Sequence, residues 1–213
     1  ASWQHVRSTG SLLVGEGFTM KGPGTGSIAT PQNYVLLGKP NNGDINLTIS
    51  AGNDYLVGNP YPSAIDADQF IADNSSSING TLYFYDGSND TTHMQASYAG
   101  GYATRVSGVG TPFGGGAAPG QYIPVGQGFI VERNTSGSAT VTFQNSQRSF
   151  QTGASFLGRT TENNESNNLQ VLRIGFEIDL PDDQQYRREL AIAFRGLTNK
   201  FEKGFDAEMF DRQ

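Results

Sequence analysis

Helical periodicity is almost absent from this chain, and that absence constrains its fold more than any other feature. In its place stand short runs rich in β-branched and aromatic residues. They are Ser11–Val14, Gly17–Met20, Asn33–Leu37, Asp44–Ile49, Tyr55–Val57, Gly80–Tyr85, Gly128–Glu132, Ala139–Phe143, Val171–Ile178 and Glu189–Phe194. Clusters of Gly, Pro, Asn and Asp separate them, as tight turns require. The 28 glycines and the 16% charged content fit the same picture. Asp44–Ile49 alternates strictly, with Ile45, Leu47 and Ile49 on one face and polar residues on the other, the pattern of an antiparallel strand with one wet face. About ten such strands predict an all-β fold, an antiparallel, jelly-roll-like β-sandwich.

One short helix is expected. Asp66-Ala67-Asp68-Gln69 has the form of a capping box, with Asp66 at the N-cap, Asp68 in an exposed first turn and Gln69 reaching back. Phe70 and Ile71 supply the buried side, and Asn74–Ser77 ends it. The chain also echoes itself. Val14-Gly15-Glu16-Gly17-Phe18 recurs as Val125-Gly126-Gln127-Gly128-Phe129, and Leu37-Gly38-Lys39-Pro40 resembles Val57-Gly58-Asn59-Pro60. With no third copy, these read as similar corners of one sandwich rather than a solenoid.

The first 150 residues hold 15 charged side chains and the last 63 hold 19. The polar stretch Thr160–Asn168 marks the change. The expected organisation is a β-sandwich module over 1–159, a linker or loop over 160–168, and a two-stranded segment over 169–213. That segment docks as a tail or begins a further β domain, since two strands alone are marginal in water. Leu190, Ile192 and Phe194 are expected to face a core. Phe201, Phe205, Met209 and Phe210, in a turn or short helix over Lys200–Phe210, need cover. Segment Gly100–Gln121, with its run Gly108–Gly116, is the least structured by composition. The chain starts at Ala1 and ends at Gln213 without a signal peptide, which reads as a piece of something longer.

Little in the chain is equipped for catalysis. There is no Cys, hence no disulfide, thiolate metal site or Cys nucleophile. His5 and His93 stand in no zinc-binding frame. No serine sits in a Gly-x-Ser-x-Gly elbow. Gly22–Gly26 and Gly108-x-Gly110 lack the Lys-Ser/Thr ending of a phosphate loop. Asp86-Gly87-Ser88-Asn89-Asp90 shares only composition with a calcium loop, and reads as a tight hairpin turn after Leu82–Tyr85. No catalytic residue, metal or cofactor is therefore expected. A net charge of −6 gives no electrostatic footprint for nucleic acid, and no apolar run is long enough for a transmembrane helix. Tyr98, Tyr102, Phe113 and Tyr122 surround the Gly-rich segment, where rings either stack on sugars or pack back onto the sandwich.

Several strings go beyond composition. They are Gly15–Gly22, Gln32–Ile45 with Lys39-Pro40-Asn41-Asn42-Gly43-Asp44, Leu56–Asp66 with Gly58-Asn59-Pro60-Tyr61-Pro62, Gly80–Asp86, Tyr122–Phe129, and Val141-Thr142-Phe143 with Arg148 five residues on. In this order, over roughly residues 11–150, the chain resembles a region of large secreted proteins of Bacteroidetes, especially flavobacteria, that are exported by the type IX secretion system. Phe201–Ala207 resembles sequence upstream of their C-terminal sorting domain. Gly108–Gly120 is not a feature of that family. The resemblance implies a non-catalytic structural or adhesive module, secreted or anchored at the outer cell surface, in proteins some of which are adhesins linked to gliding. Its partners would be other domains of the same protein, secretion or outer-membrane components, or glycans. A carbohydrate-binding or accessory module of a secreted hydrolase is the alternative. Asp90-Thr91-Thr92 resembles the O-glycosylation signal of those bacteria, whereas Asn46-Leu47-Thr48 is an Asn-x-Thr sequon of no consequence in a bacterium.

Overall fold

A computed structural model describes residues 10–19, 35, 37–51, 53–87, 100–114, 116–134, 137–151, 171–179 and 185–193. The elements in order are β1 (Ile45–Ile49), β2 (Tyr55–Gly58), β3 (Ala64–Asp66), α1 (Ala67–Asp73), β4 (Ile78–Asp86), β5 (Gly101–Val106) and β6 (Val109–Thr111). They continue with β7 (Tyr122–Ile123), β8 (Gly128–Arg133), β9 (Ala139–Phe143), a 3-10 turn at Asn145–Gln147, β10 (Arg148–Ser149), β11 (Val171–Asp179) and β12 (Gln185–Ala193). All pairings are antiparallel. They form a five-stranded sheet β2-β8-β4-β5-β6, a three-stranded sheet β10-β3-β7, and the ribbons β1-β9 and β11-β12. The fold is all-β and sandwich-like, with one α-helix among the described residues. No helix among them is long and apolar enough to cross a membrane.

The alternation of Asp44–Ile49 works as its spacing dictates. Leu47 and Ile49 are buried, while Asn46 and Thr48 are exposed. They meet Val141 and Phe143 of β9 on the core face. Opposite lies the inner face of the large sheet, with Val57, Leu82, Phe84, Phe129 and Val131. Helix α1 buries Ala67, Phe70 and Ile71 at the i, i+3, i+4 spacing of one helical side. Phe70 joins the layers. Its ring meets Phe129 edge-on at 5.4 Å and Phe143 at 5.0 Å. The large sheet's outer row is also buried at Thr81, Tyr83, Val106 and Ile130.

Asp66 caps α1 as expected, its Oδ1 accepting from the N–H groups of Asp68 (2.9 Å) and Gln69 (3.2 Å). The reciprocal half of the box does not form. Gln69 donates instead to Asp73 Oδ1, one turn on. Asn74 closes the other end, donating to the Phe70 carbonyl at 2.9 Å and the Thr142 carbonyl at 3.0 Å, and accepting from the Thr142 N–H at 2.8 Å.

The first sequence echo is a structural one. Both copies are turns closed from residue i+3 to residue i, Glu16 to Leu13 and Gln127 to Pro124. Both place glycine in the left-handed region, Gly15 at φ 89° and Gly126 at φ 75°. The two copies flank β2. Gly128 and Phe129 pair with Gly58 and Val57 on one edge. On the other edge Glu16 bridges Val57, Gly17 donates to the Leu56 carbonyl, and Gly58 donates to the Gly15 carbonyl.

Three expectations need correction. Part of Gly100–Gln121 is the hairpin β5-β6 rather than a structureless loop. Its glycines are packing positions: a Cβ at Gly101 would strike the Phe113 ring, one at Gly110 the Pro119 carbonyl, and one at Gly116 the Asp86 carboxylate. The turn after β4 is not tight, because Asp86 faces Gly101 across the β4-β5 pair and the connection runs from 87 to 100. The late strands do pair, Val171 with Ala193 through Asp179 with Gln185. Leu190 and Ile192, however, are 57% and 38% exposed. They form an open aliphatic face with Ile174 and Leu172 directly opposite, so they face no core. Residues 160–168, Phe194 and 200–210 lie outside the described residues.

Phe70→Ala should lower the unfolding free energy by about 3–5 kcal/mol, read as a fall in the urea midpoint. A change below about 1 kcal/mol would show that the layers do not depend on this ring.

Candidate functional site

Three of the strings singled out in the sequence converge on one corner. Asn59 leaves β2 buried, with its side chain used completely. Its Nδ2 faces the carbonyls of Ser63 (2.8 Å), Ile123 (3.2 Å) and Pro124 (3.2 Å), and its Oδ1 accepts the Tyr61 N–H at 3.0 Å. Tyr61 packs beneath and donates its hydroxyl to the Gly43 carbonyl at 2.7 Å. Asn41 Nδ2 donates to the Pro60 carbonyl at 2.8 Å. Arg148 lies over the Tyr61 ring, 5.2 Å from its centre. Its Nε donates to Ser63 Oγ at 3.2 Å, and its Nη1 to Asn42 Oδ1 at 3.1 Å and Asn145 Oδ1 at 3.2 Å. The corner thus depends on Asn59 and Arg148. Gly58 is not among the positive-φ glycines, because it is still in strand β2.

A second cluster was invisible in the sequence. Arg105 lies on the inner face of β5, 0% exposed, opposite Leu82. Its Nη2 and Nε donate to Asp68 Oδ2 (2.9 Å) and Oδ1 (3.3 Å), and its Nη1 to the Pro119 carbonyl at 3.1 Å. Asp68 Oδ1 also accepts the Gly108 N–H at 2.8 Å. Asp68 is therefore no free first-turn acid. It ties α1 to the β5-β6 hairpin, and its side chain is 27% exposed. Only a three-dimensional pairing reveals it, since Asp68 and Arg105 are far apart in sequence. Beside it Asp66 Oδ2 accepts from Gln121 at 2.9 Å.

The aromatic candidates do not gather. Tyr102 points to the outer face of the large sheet, edge-on to Tyr85 at 5.6 Å. Phe113 packs under Gly101, whose missing side chain would point to the inner face, so the two rings lie on opposite faces. Tyr122 is half-buried in β7 opposite Asp66. Tyr85, 47% exposed, was not singled out, although the alternation of Leu82-Tyr83-Phe84-Tyr85 places it outward. Burial raises the Tyr102 hydroxyl above its ordinary pKa. His5, His93, Tyr98, Gly22–Gly26 and Asp90-Thr91-Thr92 lie outside the described residues. Among the described residues no three His, Cys, Asp or Glu side chains group where a metal ion would sit.

Glu16 holds the first turn to β2. Its carboxylate accepts the Tyr55 hydroxyl and, through Oε2, the Leu13 N–H at 2.7 Å. Burial, then the Glu16 hydrogen bond and charge, raise the Tyr55 pKa. Burial also raises that of Tyr61, with Asp44 adding to the rise and Arg148 opposing it.

These geometries define a sandwich-like β module whose polar side chains serve mainly to tie its own turns together. Residues 1–213 match the family described as Domain of unknown function (DUF8693), and the chain belongs to that family. No curated protein and no solved structure matches it.

Asp68→Ala should cost about 3 kcal/mol, since it strands a buried guanidinium. Combining it with Arg105→Met should recover much of the loss, so additive losses would show that the charges are not coupled. Tyr55 and Tyr61 have folded pKa values above the unfolded one of about 10. Their neutral forms therefore contribute stability that is complete below that pH and lost as pH rises through the folded values. Urea midpoints should fall from about pH 10 upward, less steeply in Tyr61→Phe; parallel curves would exclude Tyr61 as a contributor.

Proposed function

We propose that the chain is a non-catalytic structural or adhesive module of a large bacterial protein exported by the type IX secretion system and held at the outer cell surface. One observation carries this reading. The Lys39–Asp44, Gly58–Pro62 and Val141–Arg148 strings, on which the resemblance rests, meet in a corner where their polar groups bond to one another. Residues used that way specify a shape. The acidic balance suits an exposed module. Its partners are then neighbouring domains of the same protein, secretion or outer-membrane components, or glycans.

A carbohydrate-binding module remains the second reading, and the Tyr85–Tyr102 pair on the outer sheet face favours it. An exposed ring beside a supporting one offers a face for stacking on a sugar.

In a flavobacterium carrying the gene, antibody to this chain should label intact cells. The label should disappear when the type IX translocon is deleted, with the chain retained inside. Cytoplasmic protein in the wild type would overturn the proposal. Glycan-array binding abolished by Tyr85→Ala would move the assignment to the second reading, and silence of the wild-type chain on a broad array would count against that reading.

A further inference from the structure

The chain holds two Asn-Gly steps, Asn42-Gly43 and Asn79-Gly80, and the structure treats them in opposite ways. Asn-Gly is the dipeptide most open to intramolecular attack, because glycine puts no Cβ beside the nucleophilic nitrogen. We infer that Asn42 is a site of spontaneous covalent modification, deamidation through a succinimide, and that Asn79 is protected.

At Asn42 the side chain is exposed, and its Nδ2, the leaving group, makes no hydrogen bond among the described residues. Its Oδ1 accepts from Arg148 Nη1 at 3.1 Å. That guanidinium stands where negative charge develops as the amide carbon becomes tetrahedral, a placement that lowers the barrier. Gly43 lies in the left-handed region at φ 81°, and a Cβ there would meet nothing within 4 Å, so no neighbouring group packs over its Cα. Its N–H points at Asn145 Oδ1 (3.2 Å). The Gly43 nitrogen attacks Cγ of Asn42 and a C–N bond closes the five-membered ring. The bond from Cγ to Nδ2 breaks, and ammonia leaves with the proton that the Gly43 nitrogen gives up. Water then opens the ring at either carbonyl, leaving aspartate or isoaspartate at position 42. The aspartate places a carboxylate on the Arg148 guanidinium. The isoaspartate adds a backbone methylene and shifts the Gly43 carbonyl that Tyr61 holds.

At Asn79 the glycine is again left-handed, at φ 86°, but the leaving group and the backbone around it are held. Nδ2 donates to Glu132 Oε2 at 2.9 Å, and Oδ1 accepts the Thr81 N–H at 2.9 Å. Gly80 is buried within β4. Attack there must wait for the strand to open.

The test is peptide mapping by mass spectrometry of the intact chain aged at neutral pH, folded and in urea. In the folded chain Asn42 should convert to aspartate and isoaspartate at least about tenfold faster than Asn79, whose attack requires local opening. In urea the two rates should converge. Equal folded rates, faster loss at Asn79, or no conversion of folded Asn42 while the urea sample converts would each overturn the inference. Arg148→Gln should slow conversion at Asn42 in the folded chain and leave the urea rate unchanged. A folded rate that is unchanged or faster would remove Arg148 from the mechanism.

Discussion

A guanidinium buried in an apolar interior must be paired, and Arg105 imposes that requirement on everything around it. Asp68 supplies the charge, so the first turn of α1 has to lie over β5. The Pro119 carbonyl and the Gly108 N–H complete the set, which fixes both ends of the glycine-rich segment around β6. Once α1 is placed, Phe70 is delivered between Phe129 and Phe143, and the sheets close on it. A Leu at position 105 would bury as much apolar surface but would leave the helix free to choose its place.

The sequence revealed those parts of the fold that follow from local rules. Strict alternation placed Leu47 and Ile49 inward, and an acid before an apolar pair located the start of α1 at Asp66. The short strands β3, β7 and β10 escaped, because two or three residues carry no readable period. The β5-β6 hairpin escaped for a different reason. Gly101 and Gly110 read as flexible from composition, yet their missing side chains make room for Phe113 and Pro119. Close packing and loose chain demand the same residue. Asp68 was misread in a similar way, since a first-turn acid is explained well enough by the helix dipole until its partner is seen.

The corner at Asn59 was half legible. The glycine and two prolines of Gly58-Asn59-Pro60-Tyr61-Pro62 are residues that mark a bend. The convergence of Asn41, Asn42, Asn145 and Arg148 needs the pairing of β10 with β3, which no local pattern predicts. The outcome is a corner rich in Asn whose amides bond to the chain's own backbone and side chains. At such a corner polarity is not a guide to binding, because it is used to fix the loops to one another.

The order in which strands find partners has a consequence for how the protein is made. Among the described residues β1 pairs only with β9, β2 with β8, and β3 with β7 and β10. Apart from the bridge at Glu16, the described sheet neighbours of these three strands all lie beyond residue 120. Contacts so distant in sequence slow folding, because long loops must close before any ladder rewards them. A ribosome or a membrane pore that releases this chain from its N-terminus therefore releases a polypeptide in which β4, β5 and β6 can already pair with one another while β1, β2 and β3 still wait for their partners. It then completes several sheets nearly together as β7 to β10 emerge.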